Sequence, residues 1–316
     1  MLDRERSAAV TGAFGFTGNA IARRLVADGW HVITLARRVD YSDPLASSIK
    51  SAPLDFGRPA ELADALDGVD TLFNTYWIRF PRGASSYERA TAETAVLLAA
   101  ARQAKGRRVV HVSVVGADPD GPTPYVRAKG RVEHAVRTSG LEWTIVRPTL
   151  TFGPGDILIN NMAWALRRLP VYGMPGSGRY PIQPVHVDDV ARICVELAGA
   201  EPGDVVDAAG PDHLGFREMV DIVRSAVGSR SVVLPMPTWA VLTAARLLGL
   251  LVRDVVLTPD EVFELSTGFL TSNHPPRGTI RFEEWVRANA DSLGRRWSSE
   301  LGRNYRLTEK GAPISR

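Results

Sequence analysis

Tyr125 and Lys129, four residues apart in "PYVRAKG", are a pair of side chains suited to proton chemistry. In a helix that spacing puts both on one face, within reach of a shared ligand. An ammonium beside a phenol favours the phenolate, so a pKa that starts near about 10 falls, and each unit corresponds to about 1.4 kcal/mol. Such a tyrosine can exchange a proton with a substrate oxygen while a hydride moves to or from a cofactor. The motif arises by chance in many helices, so its meaning rests on its surroundings. These begin with "TGAFGFTGNA", residues 11–20, where Gly12, Gly15 and Gly18 fall in a G-x-x-G-x-x-G spacing around Phe16 and Thr17. Gly12 permits a tight turn, and Gly15 lets the backbone approach a pyrophosphate. Gly18 lets the following helix pack on its strand with its N-terminal amides aimed at phosphate. A lone glycine fingerprint is weak, but this one follows a strand pattern and precedes a helix pattern, which is the context it requires.

Those residues need a scaffold of alternating strands and helices, and the first half of the chain reads that way. Strands are expected at Ala8–Thr11, at His31–Ala36, in "VDTLFNTY" ending near Asn74, in "RRVVHVSVVG" and in "EWTIVRPTL". Helices are expected at Asn19–Ala27, in "RPAELADAL", in the Ala-rich run stopped by Gly106, and from about Tyr125 to Thr138. After "FGPGD" glycine and proline cluster in "LPVYGMPGSGRYPIQP", which reads as loop with short edge strands, and the remainder is mostly helical apart from "DVVDAAG" and "SVVLPMP". The fold class is therefore α/β, a Rossmann doubly wound parallel sheet with a smaller, mostly helical C-terminal substrate lobe. Residues 1–155 form the nucleotide-binding domain, with 184–198 returning to it, and 156–183 and 199–316 form the lobe and tail. The last stretch, from Asn304, lacks periodic apolar positions and is expected to fray.

An NAD-binding unit of this type places Asp or Glu at the end of the second strand, against the ribose 2′-hydroxyl. Here that position reads "LARR". The guanidinium forks of Arg37 and Arg38 match a 2′-phosphate instead, which favours NADP as cofactor; Asp40 leaves NAD open.

"TGAFGFTG" and the later "YVRAK" together resemble the short-chain dehydrogenase/reductase superfamily, in its extended and atypical branches of sugar-nucleotide epimerase relatives and complex I accessory-subunit-like reductases. The resemblance runs over roughly residues 7–200. It implies Tyr125 as acid/base with Lys129 as its electrostatic partner. It implies Asp55 and Phe56 at the adenine ring, Asn74, Thr75 and Tyr76 along the pyrophosphate and nicotinamide ribose, and Pro148 and Thr149 of "IVRPTLTFGPGD" at the nicotinamide carboxamide. Relatives also carry a hydroxyl pair near the end of the fifth strand, the second member facing the substrate carbonyl. This chain reads "HVSVVGADP": Ser113 matches the first member, and Val114 stands where the catalytic hydroxyl is expected. Side chains alternate along a strand, so either Ser113 is re-aimed into the role, another group polarises the carbonyl, or the chain binds nucleotide without turnover.

The 316 residues are 45% hydrophobic and 23% charged, ample for a core. The net charge of +3 is spread out, with no basic run of five or more, which argues against nucleic acid. One cysteine, Cys194 in an apolar helical run, excludes a disulfide framework, and the start "MLDRERSAAVTG" has no apolar leader core, so cytoplasmic residence is expected. The six histidines, His186 among them, show no metal-ligand spacing, and no metal is expected. The window Trp239–Leu257 is apolar but broken by Arg246 and Arg253, too short and too charged to span a bilayer; it reads as a packed helix, with membrane-surface contact as the alternative. Arg179 alone does not make a diphosphate clamp. Trp164, Met174, Met236 and Trp239 point instead to a small carbonyl or hydroxyl substrate of apolar character, with a sugar-nucleotide epimerase or dehydratase that retains NAD as the alternative.

Overall fold

A computed structural model describes residues 6–305; most of the terminal stretch expected to fray lies outside them. In chain order the first elements are β1 (Ser7–Thr11), α1 (Phe16–Ala27), β2 (His31–Ala36), β3 (Lys50–Pro53), α2 (Pro59–Ala65) and β4 (Thr71–Asn74). They are followed by α3 (Tyr87–Gln103), β5 (Arg108–Val112), α4 (Pro124–Arg137) and β6 (Glu142–Pro148). Then come β7 (Leu150–Phe152), α5 (Leu158–Arg168), β8 (Val171–Pro175), β9 (Pro181–Ile182), β10 (Pro184–His186), α6 (Val187–Ala198) and β11 (Val205–Ala208). The chain continues through β12 (Leu214–Gly215), α7 (Phe216–Ala226), β13 (Val232–Met236), α8 (Thr238–Val252), α9 (Pro259–Ser266) and α10 (Phe282–Ala288).

The chain divides into two compact units. The first holds residues up to Pro148 together with Val187–Ala208. Its sheet has seven strands in the order β11-β6-β5-β4-β1-β2-β3, every pairing parallel. The α2–α3–α4 layer packs through its own helix contacts, and α1 packs with α6. A parallel sheet covered on both faces needs near-continuous apolar strands, and Ala8, Ala9, Val10, Leu72, Phe73, Val109, Val110, Ile145 and Val146 are all buried. This is the doubly wound Rossmann arrangement expected from the sequence.

Two features differ from the expectation. Lys50–Pro53 is a short, mostly exposed strand pairing with β2, without the apolar alternation that marks a strand in sequence. Val205–Ala208, assigned from sequence to the lobe, pairs in register with Ile145–Pro148 and closes the sheet at its β6 edge. Strand pairing over some sixty residues decided its membership, which local pattern does not report.

The second unit holds Thr149–His186 and residues from Ala209 onward. Phe152, Ile159, Met162, Met174, Phe216, Met219 and Phe282 form its core. Three two-stranded pairings, β7 with β10, β9 with β12 and β8 with β13, join distant parts of the chain. The Arg167 guanidinium knits its helices by donating to the carbonyls of Leu293, Val227 and Ala290.

Candidate active site

The register of the parallel strands puts the ends of β1, β2, β4 and β5 side by side: Thr11 pairs with Leu35, Val10 with Phe73, and Asn74 with His111. The ends of these four strands therefore lie together at the carboxyl edge of the sheet, where ligands of open α/β folds bind.

The glycine loop is built as a cradle. Gly12 has φ +68°, a left-handed conformation that favours glycine, and its N–H donates to the Leu35 carbonyl at 2.8 Å. Gly15 N–H donates back to the Gly12 carbonyl at 2.8 Å, closing the turn. A Cβ on Gly18 would lie 2.3 Å from the Gly12 oxygen, so only glycine lets α1 start this close to β1. Gly15 caps α1 with no side-chain hydrogen bond, and the first turn holds no acidic residue. The first amides of α1, Phe16 and Thr17 included, have no intrahelical acceptor and the positive end of the helix dipole lies there. Thr34, not singled out in sequence, braces the loop: Oγ1 accepts from Ala13 N–H at 3.1 Å and donates to the Val10 carbonyl at 3.1 Å.

Arg37 and Arg38 follow β2 and are exposed; among the described residues neither forms an ion pair. Asp40 is committed elsewhere, accepting from the Ser42 amide and hydroxyl, which with the Arg38 charge holds its carboxyl below the usual range. Asp55 accepts from Gly57 N–H at 2.9 Å and stays half exposed. Phe56 packs its ring on Tyr76, centroids 4.8 Å apart.

The residues after β4 are used unevenly. Asn74 is fully buried; its Oδ1 accepts from Tyr76 N–H at 3.1 Å, and its Nδ2 lies 3.2 Å from His111 Nδ1. Its side chain thus hydrogen-bonds within the buried end of the sheet. Thr75 locks β4 to β1, its N–H donating to Thr11 Oγ1 at 2.7 Å and its hydroxyl to the Thr11 carbonyl at 2.5 Å. The Tyr76 hydroxyl donates to Glu93, and burial with that carboxylate raises its pKa.

Around the Tyr125–Lys129 face the structure adds groups that sequence reasoning missed. Lys129 is 3% exposed, donates to the Val112 carbonyl at 3.3 Å, and has its ammonium 4.5 Å from the centre of the Trp77 ring. Burial pushes the Lys129 ammonium down to about 7, with Glu133 opposing the shift, and it forms no ion pair among the described residues. Trp77 stacks on Tyr87 with rings 5.9 Å apart and meets Tyr125 edge-on at 6.1 Å. His111, also buried, is pushed to about 3 by desolvation and by the Lys129 charge, so it is neutral. One turn beyond Lys129, the buried Glu133 accepts from Arg147 on β6 at 2.6 Å and from Arg137 at 3.0 Å, pinning α4 to the sheet. Gly130 lets α4 press on the preceding loop, since a Cβ there would lie 2.2 Å from Pro119 N.

At the end of β5, Ser113 continues the ladder through its N–H to the Val146 carbonyl at 2.7 Å. Its hydroxyl is buried and has no hydrogen-bond partner among the described residues. Tyr125 packs against the cluster of Val114, Val115 and Ala117, so apolar carbon occupies the place of the expected hydroxyl. Pro148 ends β6 with its carbonyl accepting from Val115 N–H at 3.1 Å. Thr149 belongs to the second unit and is buried. In that unit Met174 is core, Trp164 packs on Trp297 at 5.2 Å, and Trp239 is exposed. His186 packs edge-on against Phe152, and Arg179 is exposed.

With its Rossmann fold the chain is an NAD(P)-dependent oxidoreductase. The chain belongs to the NAD(P)H-binding family, whose pattern matches residues 12–200. It is 27% identical over 245 residues to the ceramide reductase of Caulobacter vibrioides, covering 76% of each chain. It is also 27% identical over 254 residues to the mitochondrial NADH dehydrogenase [ubiquinone] 1 alpha subcomplex subunit 9 of Arabidopsis thaliana, covering 76% of this chain and 63% of that one. Among solved structures, the triphenylmethane reductase of Citrobacter sp. superposes with a TM-score of 0.73 at 18% identity, over 90% of this chain and 99% of that one, a likeness of fold. No described helix is long and apolar enough to cross a membrane.

Proposed function

We propose that the protein is an NADP-dependent reductase that moves a hydride between the nicotinamide and the carbonyl or hydroxyl carbon of a small apolar molecule. Tyr125 exchanges the proton at the substrate oxygen, and Lys129 holds the phenol toward phenolate and the ribose hydroxyls in place. When bound, the dinucleotide supplies or accepts the hydride; the chain's own residues bind, orient and move the proton. The observation that carries the reading is Lys129 itself. A lysine buried under Trp77 with no ion-paired carboxylate among the described residues is costly, and perturbed groups of this kind cluster where catalysis occurs.

Arg37 and Arg38, without ion pairs among the described residues, support NADP over NAD through the 2′-phosphate. The reductases among the relatives support an apolar or conjugated carbonyl compound as the substrate class. The unit from Thr149 is read as the substrate lobe. Val114 and its apolar neighbours favour a second reading, a dinucleotide-binding protein without turnover. Tyr125→Phe separates the two: under the first reading it abolishes carbonyl-dependent NADPH oxidation while NADPH binding by fluorescence is retained. A panel of apolar aldehydes and ketones that leaves NADPH unconsumed with the wild-type protein would favour the second.

A further inference from the structure

The second unit carries a helix whose outward face is apolar. Trp239, Leu247, Leu250 and Leu251 of α8 are 72%, 64%, 77% and 76% exposed. Single exposed leucines are ordinary, whereas four large apolar side chains on one helix call for a cover. Their spacing gathers them: at about 100° per residue, Trp239, Thr243, Leu247, Leu250 and Leu251 share one side, opposite the stripe of Val241, Ala245 and Gly249 that is buried. The face runs about 16 Å along the axis from Trp239 to Leu250.

The C-terminal end of α8 is anchored. A Cβ on Gly249 would lie 2.6 Å from the Asp254 carbonyl, so glycine lets the chain leaving α8 turn back against its last turn. Arg253 closes the helix in the left-handed conformation at φ +54°. Next to it, the Asp254 carboxylate accepts from Trp297 Nε1 and Glu300 N–H, both at 2.9 Å, and from Leu301 N–H at 3.0 Å. These three hydrogen bonds fix the chain at the C-terminal end of α8.

Charge indicates what covers it. From Thr238 to Arg253 the chain has two arginines, Arg246 and Arg253, and no Asp or Glu. Both are exposed, and neither forms an ion pair among the described residues. A second copy docked helix to helix would bring the arginines of both copies to the seam with no carboxylate from either helix. The terminal stretches 1–5 and 306–316 supply few large apolar residues, Met1, Leu2, Leu307 and Ile314, interspersed with charges. An apolar face with a tryptophan at one end and arginines at its flank suits the boundary between anionic headgroups and acyl chains.

We propose that α8 docks the protein on an anionic lipid bilayer, with Trp239, Leu247, Leu250 and Leu251 entering the headgroup boundary and Arg246 and Arg253 meeting lipid phosphates. The test is flotation of the full chain with vesicles of equal parts phosphatidylcholine and phosphatidylglycerol, against phosphatidylcholine alone. The wild type floats with the anionic vesicles. Leu250→Ser with Leu251→Ser lowers the partition about tenfold or more, and Arg246→Gln with Arg253→Gln lowers it on anionic vesicles only, while NADPH binding by each variant is unchanged. A wild type that stays at the bottom of the gradient overturns the proposal, as does a leucine pair or an arginine pair without effect. Sedimentation velocity supplies the rival outcome: a dimer that Leu250→Ser with Leu251→Ser dissociates would assign the face to a second copy.

Discussion

Replacing Gly18 by alanine adds one methyl group at the point where helix, strand and phosphate site converge. Its Cβ would stand 2.3 Å from the Gly12 oxygen, 2.8 Å from the Gly12 carbonyl carbon and 3.0 Å from the Thr11 oxygen. All are backbone atoms at the end of β1, so nothing rotates aside. Against an ordinary contact of about 3.5 Å the shortfall is roughly 1 Å, and α1 has to withdraw by a comparable amount. Overpacking of this kind costs about 1–3 kcal/mol, and each kcal/mol lowers the melting temperature by about 2–4 °C in a large domain. The same withdrawal carries the first-turn amides away from the pyrophosphate, so NADPH affinity is expected to fall about tenfold or more, which is about 1.4 kcal/mol. Gly15→Ala is the comparison: its Cβ would lie 3.1 Å from the Gly12 oxygen, at a φ of −89° that any residue adopts. It should weaken NADPH binding by obstructing the approach of phosphate while leaving the melt nearly unchanged. Melting curves and NADPH fluorescence titrations of both variants decide the matter. A Gly18→Ala protein with wild-type stability and affinity would refute the close-packing argument, as would a Gly15→Ala protein less stable than Gly18→Ala.

Arg37→Ala with Arg38→Ala should raise the Kd for NADPH about tenfold and leave that for NADH within about twofold; equal losses for both nucleotides in a titration would remove the 2′-phosphate contact. Val114→Ser places a hydroxyl in the cluster on which Tyr125 packs, and should raise kcat for carbonyl reduction at a cost of about 1–2 kcal/mol in stability; unchanged turnover would point to Ser113 as the polarising group, testable with Ser113→Ala. Burial holds Lys129 near 7 against 10.5 for the free side chain, so between those values the unfolded chain binds the extra proton and stability rises with pH. Lys129→Met removes that slope: it should melt above the wild type near about pH 6, with the gap closing toward about pH 10, and a pH-independent difference would show the ammonium is not desolvated.

Much of the fold was legible because its signals are local. The glycine positions answer to backbone demands within a few residues, as the left-handed Gly12 and the close approach at Gly18 illustrate. The apolar runs of β1, β4, β5 and β6 report burial on both sheet faces directly. β3 was not legible: it is four residues long and largely exposed, so it is a strand only because β2 offers it an edge. Nor was the place of β11 in the sheet, which depends on an edge left open by β6 sixty residues earlier.

For the site, the sequence by itself determined the glycine cradle, the arginines after β2, and the one-face placement of Tyr125 and Lys129, since turn chemistry and helical spacing are properties of short stretches. Tertiary structure alone decided what surrounds them. It put the Trp77 ring over Lys129, clamped Glu133 to Arg147 across α4 and β6, turned Asn74 inward to His111, and tied the Tyr76 hydroxyl to Glu93. It left the Ser113 hydroxyl buried without a partner among the described residues while Tyr125 rests on the Val114 cluster. Each of these depends on desolvation and on contacts between elements far apart in the chain, and a side chain's solvent and neighbours, which set its pKa and its chemistry, exist only once those elements have packed.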